Sequence, residues 1–134
     1  MVLDTSAIFA LMSNEPDARR FREAILNAKA LSIPAVTVLE TAIVLRGRFG
    51  PGMNDAFDSW LKESDVVVLP FDARQAMAAF AAFARYGKGQ GDPVQLNICD
   101  CPSYALAKTR GEPLLFKGAD FARTGIEPVD FSTP

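Results

Sequence analysis

The chain has 134 residues, about half of them hydrophobic, with 22% charged residues and a formal net charge of −2. That is the size of one domain with a core able to form without disulfides or a structural metal, and it lacks the strong basic excess of a protein that coats nucleic acid. There is no histidine and there are two cysteines, Cys99 and Cys101, which excludes histidine-based triads, histidine general bases and four-cysteine or histidine zinc sites. Two cysteines so close in sequence are poorly placed for a disulfide, so a reduced, cytoplasmic setting is expected. No apolar run approaches the roughly 18–20 residues of a membrane span, and no basic segment precedes an apolar one at the start as in a secretory leader.

In chain order, residues 1–4 (MVLD) read as a short strand ending on an acid, with Thr5 and Ser6 opening a helix. Asn14-Glu15-Pro16 breaks that helix. Ala18, Phe21, Ala24, Ile25 and Ala28 then repeat at helical spacing. Residues 30–33 form a short strand. Pro34 opens an apolar helix running to about Phe49, stopped by Gly50-Pro51-Gly52. Residues 54–62 are predicted helical, with Phe57, Trp60 and Leu61 facing inward. Residues 65–70 (DVVVLP) make the clearest strand, and their unbroken run predicts burial on both faces. Asp72 is expected to cap an alanine-rich helix with Phe80 and Phe83 as its larger core contacts. Residues 87–97 (GKGQGDPVQLN) are irregular. A helix follows from about Asp100 to Arg110 and ends at Gly111. Residues 113–116 are a strand, 118–123 a turn, and 126–129 a last strand. Strands alternate with helices throughout, which predicts a single α/β domain over residues 1–134 with a mostly parallel central sheet.

Ligands of open parallel sheets bind beyond the carboxyl ends of the strands, and Asp4 stands at such an end. By itself it serves equally well as a helix cap. Glu40 is the only charge in PAVTVLETAIVL, residues 34–45, and shares a helical face with Val36, Ile43 and Val44. A carboxylate buried there without a partner costs several kcal/mol or takes up a proton; a metal ion or a basic partner removes that penalty, and so does a position at the edge of the face. Asp100 precedes a helix that it can cap for about 1 kcal/mol. Asp120 lies in a turn just past the strand at 113–116, where an acid is again at a carboxyl edge or simply a turn residue. Oxygen ligands of this kind suit hard divalent cations, which acidify water and neutralise a phosphodiester with no histidine involved.

The four acids and their surroundings resemble the PIN-domain ribonucleases, and among them the VapC-type toxins of VapBC toxin–antitoxin pairs. VLDTSAI at 2–8 is similar to their opening strand, VLETAIVL at 38–45 to their glutamate helix, and LNICDCPSYALAK at 96–108 with PLLFKGADF at 113–121 to their closing segments. The tract Tyr86-Gly87-Lys88-Gly89 belongs to the same match. Each motif is weak alone; four in order are specific. The resemblance implies a three-layer α/β/α PIN fold with a central, mostly parallel sheet of four or five strands. It implies Mg2+ or Mn2+ in an acidic pocket and endonucleolytic cleavage of RNA. Asp4 and Asp100 are then the main metal ligands, Glu40 completes the cluster, directly or through water, and helps orient the attacking water, and Asp120 is the fourth acid. Thr5 or Ser6 hydrogen-bonds a ligand carboxylate or a metal-bound water. The resemblance further implies a homodimer, a cognate VapB-type antitoxin over the active-site groove, and contact with operator DNA only through that antitoxin, with no membrane partner.

Lys88, Lys117, Arg46 and Arg85 lie near the motifs and are candidates for RNA phosphates, or plain surface charges. The sequence departs from the family in places. Cys99 replaces the usual Gly before the aspartate, and Pro102 and Ser103 stand where relatives often carry an aromatic and a small residue. Ala119 replaces the first of two adjacent acids, and residues 90–95 lack the usual His and basic residues. The alternative to an active enzyme is a silent PIN module acting through antitoxin or operator binding. An aspartyl-phosphate enzyme expects a second Asp two residues after the first, where Ser6 stands.

Overall fold

A computed structural model describes residues 1–119 and 121–129. Four parallel strands, β1 (Val2–Leu3), β2 (Ser32–Pro34), β3 (Val67–Leu69) and β4 (Leu114–Leu115), lie side by side in the order β3-β2-β1-β4. Six helices connect them: α1 (Thr5–Met12), α2 (Ala18–Asn27), α3 (Ala35–Phe49), α4 (Gly52–Glu63), α5 (Ala73–Tyr86) and α6 (Cys101–Arg110). The last segment, expected as a fifth strand, contributes one parallel bridge from Pro128 to Leu114 among the described residues.

Side chains alternate across a strand, and the strands are too short to bury more than one or two residues per face. Val2 and Leu114 therefore enter one apolar layer, with Ala79, Ala82 and Tyr86 of α5 and Tyr104 and Leu106 of α6. Their neighbours Leu3 and Leu115 enter the other, with Ile33 of β2 and Ile8, Phe21, Ile25, Leu45, Phe57 and Leu61 from α1 to α4. The result is the expected three-layer α/β/α arrangement. Helix ends follow local chemistry. Asn14, with φ of 51°, takes the left-handed conformation just past α1, and Gly111, with φ of 62°, does so past α6. Asp72 caps α5 by accepting from the Gln75 backbone N–H at 2.9 Å. Residues 87–97 fold back on themselves, the Lys88 N–H donating to the Leu96 carbonyl.

Two expectations fail. β3 pairs with β2 alone, at the edge of the sheet, so Val67 and Val68 are 55% and 46% exposed rather than buried on both faces. Phe80 is 72% exposed, because α5 turns its small residues, Ala79 and Ala82, to the sheet layer, while Phe83, half-buried, packs against that layer as expected. Trp60 stacks on Phe57 at the margin of its layer, ring centroids 6.5 Å apart.

These positions give a direct contrast. Phe21→Ala, at a fully buried site, should cost about 3–5 kcal/mol, and Phe80→Ala less than about 0.5 kcal/mol, both read from urea unfolding. Equal losses would contradict the assignment of core.

Candidate active site

The chain moves from β1 outward to β2 and β3, then returns to place β4 on the other side of β1. The crevice beyond the carboxyl ends of β1 and β4 is therefore the switch point where open α/β sheets bind ligands. Asp4 is the first residue past β1, its N–H donating to the Leu115 carbonyl at 3.1 Å. It faces a cleft of about 360 Å³ lined also by Thr5, Ser6, Phe9, Glu15, Glu40, Val44, Asp100 and Lys117. Three separate elements thus bring Asp4, Glu40 and Asp100 together.

Asp4 is 3% exposed. One carboxylate oxygen accepts the Ser6 hydroxyl at 2.6 Å and the Ser6 N–H at 3.0 Å, which is the predicted cap of α1. The other accepts the Ser103 hydroxyl of α6 at 2.5 Å. Burial raises the Asp4 pKa, and the Ser103 and Ser6 bonds oppose it. Ser6 in turn accepts the Lys117 N–H at 2.9 Å, which brings the chain past β4 into the same network.

Glu40 projects from a surface face, not a core one: Ile43 is 60% exposed and Val44 is partly exposed. This corrects the expectation of a buried apolar face. Its carboxyl is nevertheless pushed up to about 7, by partial burial first, then by the charge of Asp4 and, further down, of Asp100, while hydrogen bonds with Thr5 and Cys99 pull the other way. Thr41 gives its own proton to the Thr37 carbonyl at 2.7 Å and bonds Thr5 at 2.8 Å, so the single proton of Thr5 has two acceptors, Thr41 and Glu40.

Asp100 occupies the N-cap position of α6, yet its side chain makes no cap bond. It accepts the Asn97 N–H at 2.8 Å instead, and Asn97 accepts from the N–H groups of Cys99 and Asp100. The capping expectation is corrected: the Asn97 turn replaces the cap. Asp120 lies outside the described residues.

Lys117 borders the cleft, but its ammonium pairs with Glu15 at 2.5 Å and Asp17 at 3.5 Å, and the bond it donates to Glu15 holds its pKa up. Arg46, Arg85 and Lys88 are exposed and do not line the cleft; Arg85 lies over the Tyr86 ring at 4.9 Å. Cys99 and Cys101 are free thiols. Burial and the charges of Glu40 and Asp100 push the Cys99 thiol up, the opposite of what a thiolate nucleophile needs. Beside the cleft, and sharing Glu40 with it, lies an apolar groove of about 390 Å³ lined by Phe71, Phe80, Phe83, Ile98 and Pro102.

The donor set is all carboxylate, the chemistry of a hard-cation site. Among the described residues, no three Asp, Glu or Cys side chains stand close enough together to chelate an ion as they are. Two contributors escaped the sequence reading. Glu15 was legible only as part of a helix break. Ser103 was noted as a departure from the family, with no role; its burial and its contact with Asp4 are visible only in the structure.

The PIN domain family model matches residues 1–127. Ribonuclease VapC28 of Mycobacterium tuberculosis is 45% identical over 127 residues, 95% of this chain and 96% of the relative. The crystal structure of M. tuberculosis VapC20, titled a sarcin-ricin loop cleaving toxin, superposes with a TM-score of 0.78 at 19% identity, over 93% of this chain and 95% of that one. DNA-bound VapBC from Salmonella typhimurium superposes with a TM-score of 0.67 at 22% identity, over 96% and 95%. The chain belongs to the PIN-domain family, among the VapC ribonucleases. Among the described residues, no helix is long and apolar enough to cross a membrane.

The raised carboxyls make stability pH-dependent. Glu40 and Asp4 have folded pKa values above their unfolded ones, so the folded state binds more protons and stability falls as pH rises. In chelator, the melting temperature should drop by on the order of a few degrees between pH 5 and pH 7.5, and Glu40→Gln should flatten that slope. An unchanged slope in Glu40→Gln would show that Glu40 does not titrate in this window.

Proposed function

We propose that this chain is the endoribonuclease toxin of a toxin–antitoxin pair, hydrolysing RNA phosphodiesters with Mg2+ or Mn2+ held by Asp4, Asp100 and Glu40. The observation that carries this reading is the convergence of those three acids on one cleft at the β1/β4 switch point, together with the relatives named as ribonucleases. When bound, the cation supplies positive charge against the phosphodiester and acidifies water at the site. Asp4, locked by Ser6 and Ser103, and Asp100, set on the first turn of α6, serve as its anchors. Glu40, bordering the same cleft from α3, completes the cluster and orients the attacking water. Thr5 and Ser6 support these carboxylates, and Asp120 is proposed as the fourth acid on the family resemblance alone. Lys117, bordering the cleft, is the first candidate for a substrate phosphate, with Arg46, Arg85 and Lys88 further out.

A VapB-type antitoxin and a homodimer are proposed as partners, with operator DNA reached through the antitoxin. Exposed apolar side chains support association: Leu39 and Ile43 on α3, Met77 and Phe80 on α5, and Ile98. The second reading, a silent module acting through antitoxin or operator binding, draws on the lack of a closed three-ligand cluster among the described residues.

Incubation of the purified protein with total RNA separates the two. Cleavage is expected with Mg2+ or Mn2+ and none with EDTA. Asp4→Asn and Asp100→Asn should abolish it, and Glu40→Gln should slow it by about 10²–10⁴-fold. Cleavage that persists in chelator would sink the metal mechanism; no cleavage with any divalent cation would favour the silent module.

A further inference from the structure

Ser103 is fully buried on the first turn of α6 and does not line the cleft. Its hydroxyl carries one proton and has two acceptors, an Asp4 carboxylate oxygen at 2.5 Å and the Asp100 carbonyl at 3.3 Å. The shorter bond takes the proton, since hydroxyl bonds to a carboxylate are the short and strong ones. The bond spans 99 positions of sequence and joins the end of β1 to the turn that carries Asp100.

Asp4 is thereby gripped on both oxygens, by Ser103 on one and by the hydroxyl and N–H of Ser6 on the other. Rotation of the carboxylate breaks at least one of these bonds. Ser6 alone holds only one oxygen and comes from the same chain segment as Asp4, so it cannot set the distance between Asp4 and α6. Ser103 can, because it rides on the same helical turn as Asp100.

We propose that Ser103 is a positioning residue, whose hydroxyl fixes the Asp4 carboxylate and its spacing from Asp100 and so sets the affinity of the cleft for a divalent cation. This rests on the proposed metal-dependent function. Outer-shell partners of ligating carboxylates typically contribute 10–100-fold in metal affinity.

The test is Mn2+ binding by titration calorimetry, without RNA, on the wild type and on Ser103→Ala, Ser103→Thr and Ser103→Cys. Far-UV circular dichroism checks the fold of each. Ser103→Ala is expected to remain folded and to bind Mn2+ at least about tenfold more weakly, with kcat for RNA cleavage reduced and KM unchanged. Ser103→Thr, which keeps the hydroxyl, should recover most of the affinity. Ser103→Cys, a weaker donor of similar size, should fall between and serves if Ser103→Ala does not fold. Folded Ser103→Ala or Ser103→Cys with wild-type Mn2+ affinity would overturn the proposal. Mn2+ binding absent from the wild type itself would overturn the metal-dependent reading, and this inference with it.

Discussion

A carboxylate buried at the end of the first strand is the constraint around which this protein is organised. Asp4 is desolvated, and a buried carboxylate without donors costs more than a domain of this size readily tolerates. Its donors come from both layers: Ser6 at the start of α1, and Ser103 on α6 across the sheet. Ser6 is itself held by the backbone past β4. Satisfying one group therefore requires the first helix, the last long helix and the fourth strand to be in place together. The cleft follows from that requirement, because the elements that meet at Asp4 are those that border the β1/β4 crevice.

The charges around the cleft show a second consequence of the same geometry. Three carboxylates share the space, and partial burial first, with the charge of Asp4 and then of Asp100 behind it, pushes Glu40 up to about 7. The nearby cation, Lys117, is drawn aside by Glu15 and Asp17, so the acidic character of the cleft is not cancelled from within. Such a site suits a positively charged occupant, whether a divalent ion or the basic side chain of a partner.

Much of the architecture was legible in residue order because its signals are local. The Gly50-Pro51-Gly52 stop, the Asp72 cap and the Gly111 terminus each act within a turn or two, and each stands where expected. What failed depended on neighbours distant in sequence. A run of Val at 66–68 cannot say whether one strand or two will lie beside it, and here only one does. Phe80 has helical spacing suited to a core, yet the α5 face that meets the sheet is its alanine face.

For the site, the sequence by itself determined which acids were available and that chemistry without histidine was required. It also carried the family through four ordered motifs. The tertiary structure alone decided which polar groups meet. Asp100 exchanged its cap for the Asn97 turn, Glu40 took a surface face at the rim of the cleft, and Ser103 came within 2.5 Å of Asp4 from 99 positions away. Hydrogen-bond partnership depends on ångström-scale distance and direction, and those are set by how helices pack on a sheet, which residue type and periodicity do not encode.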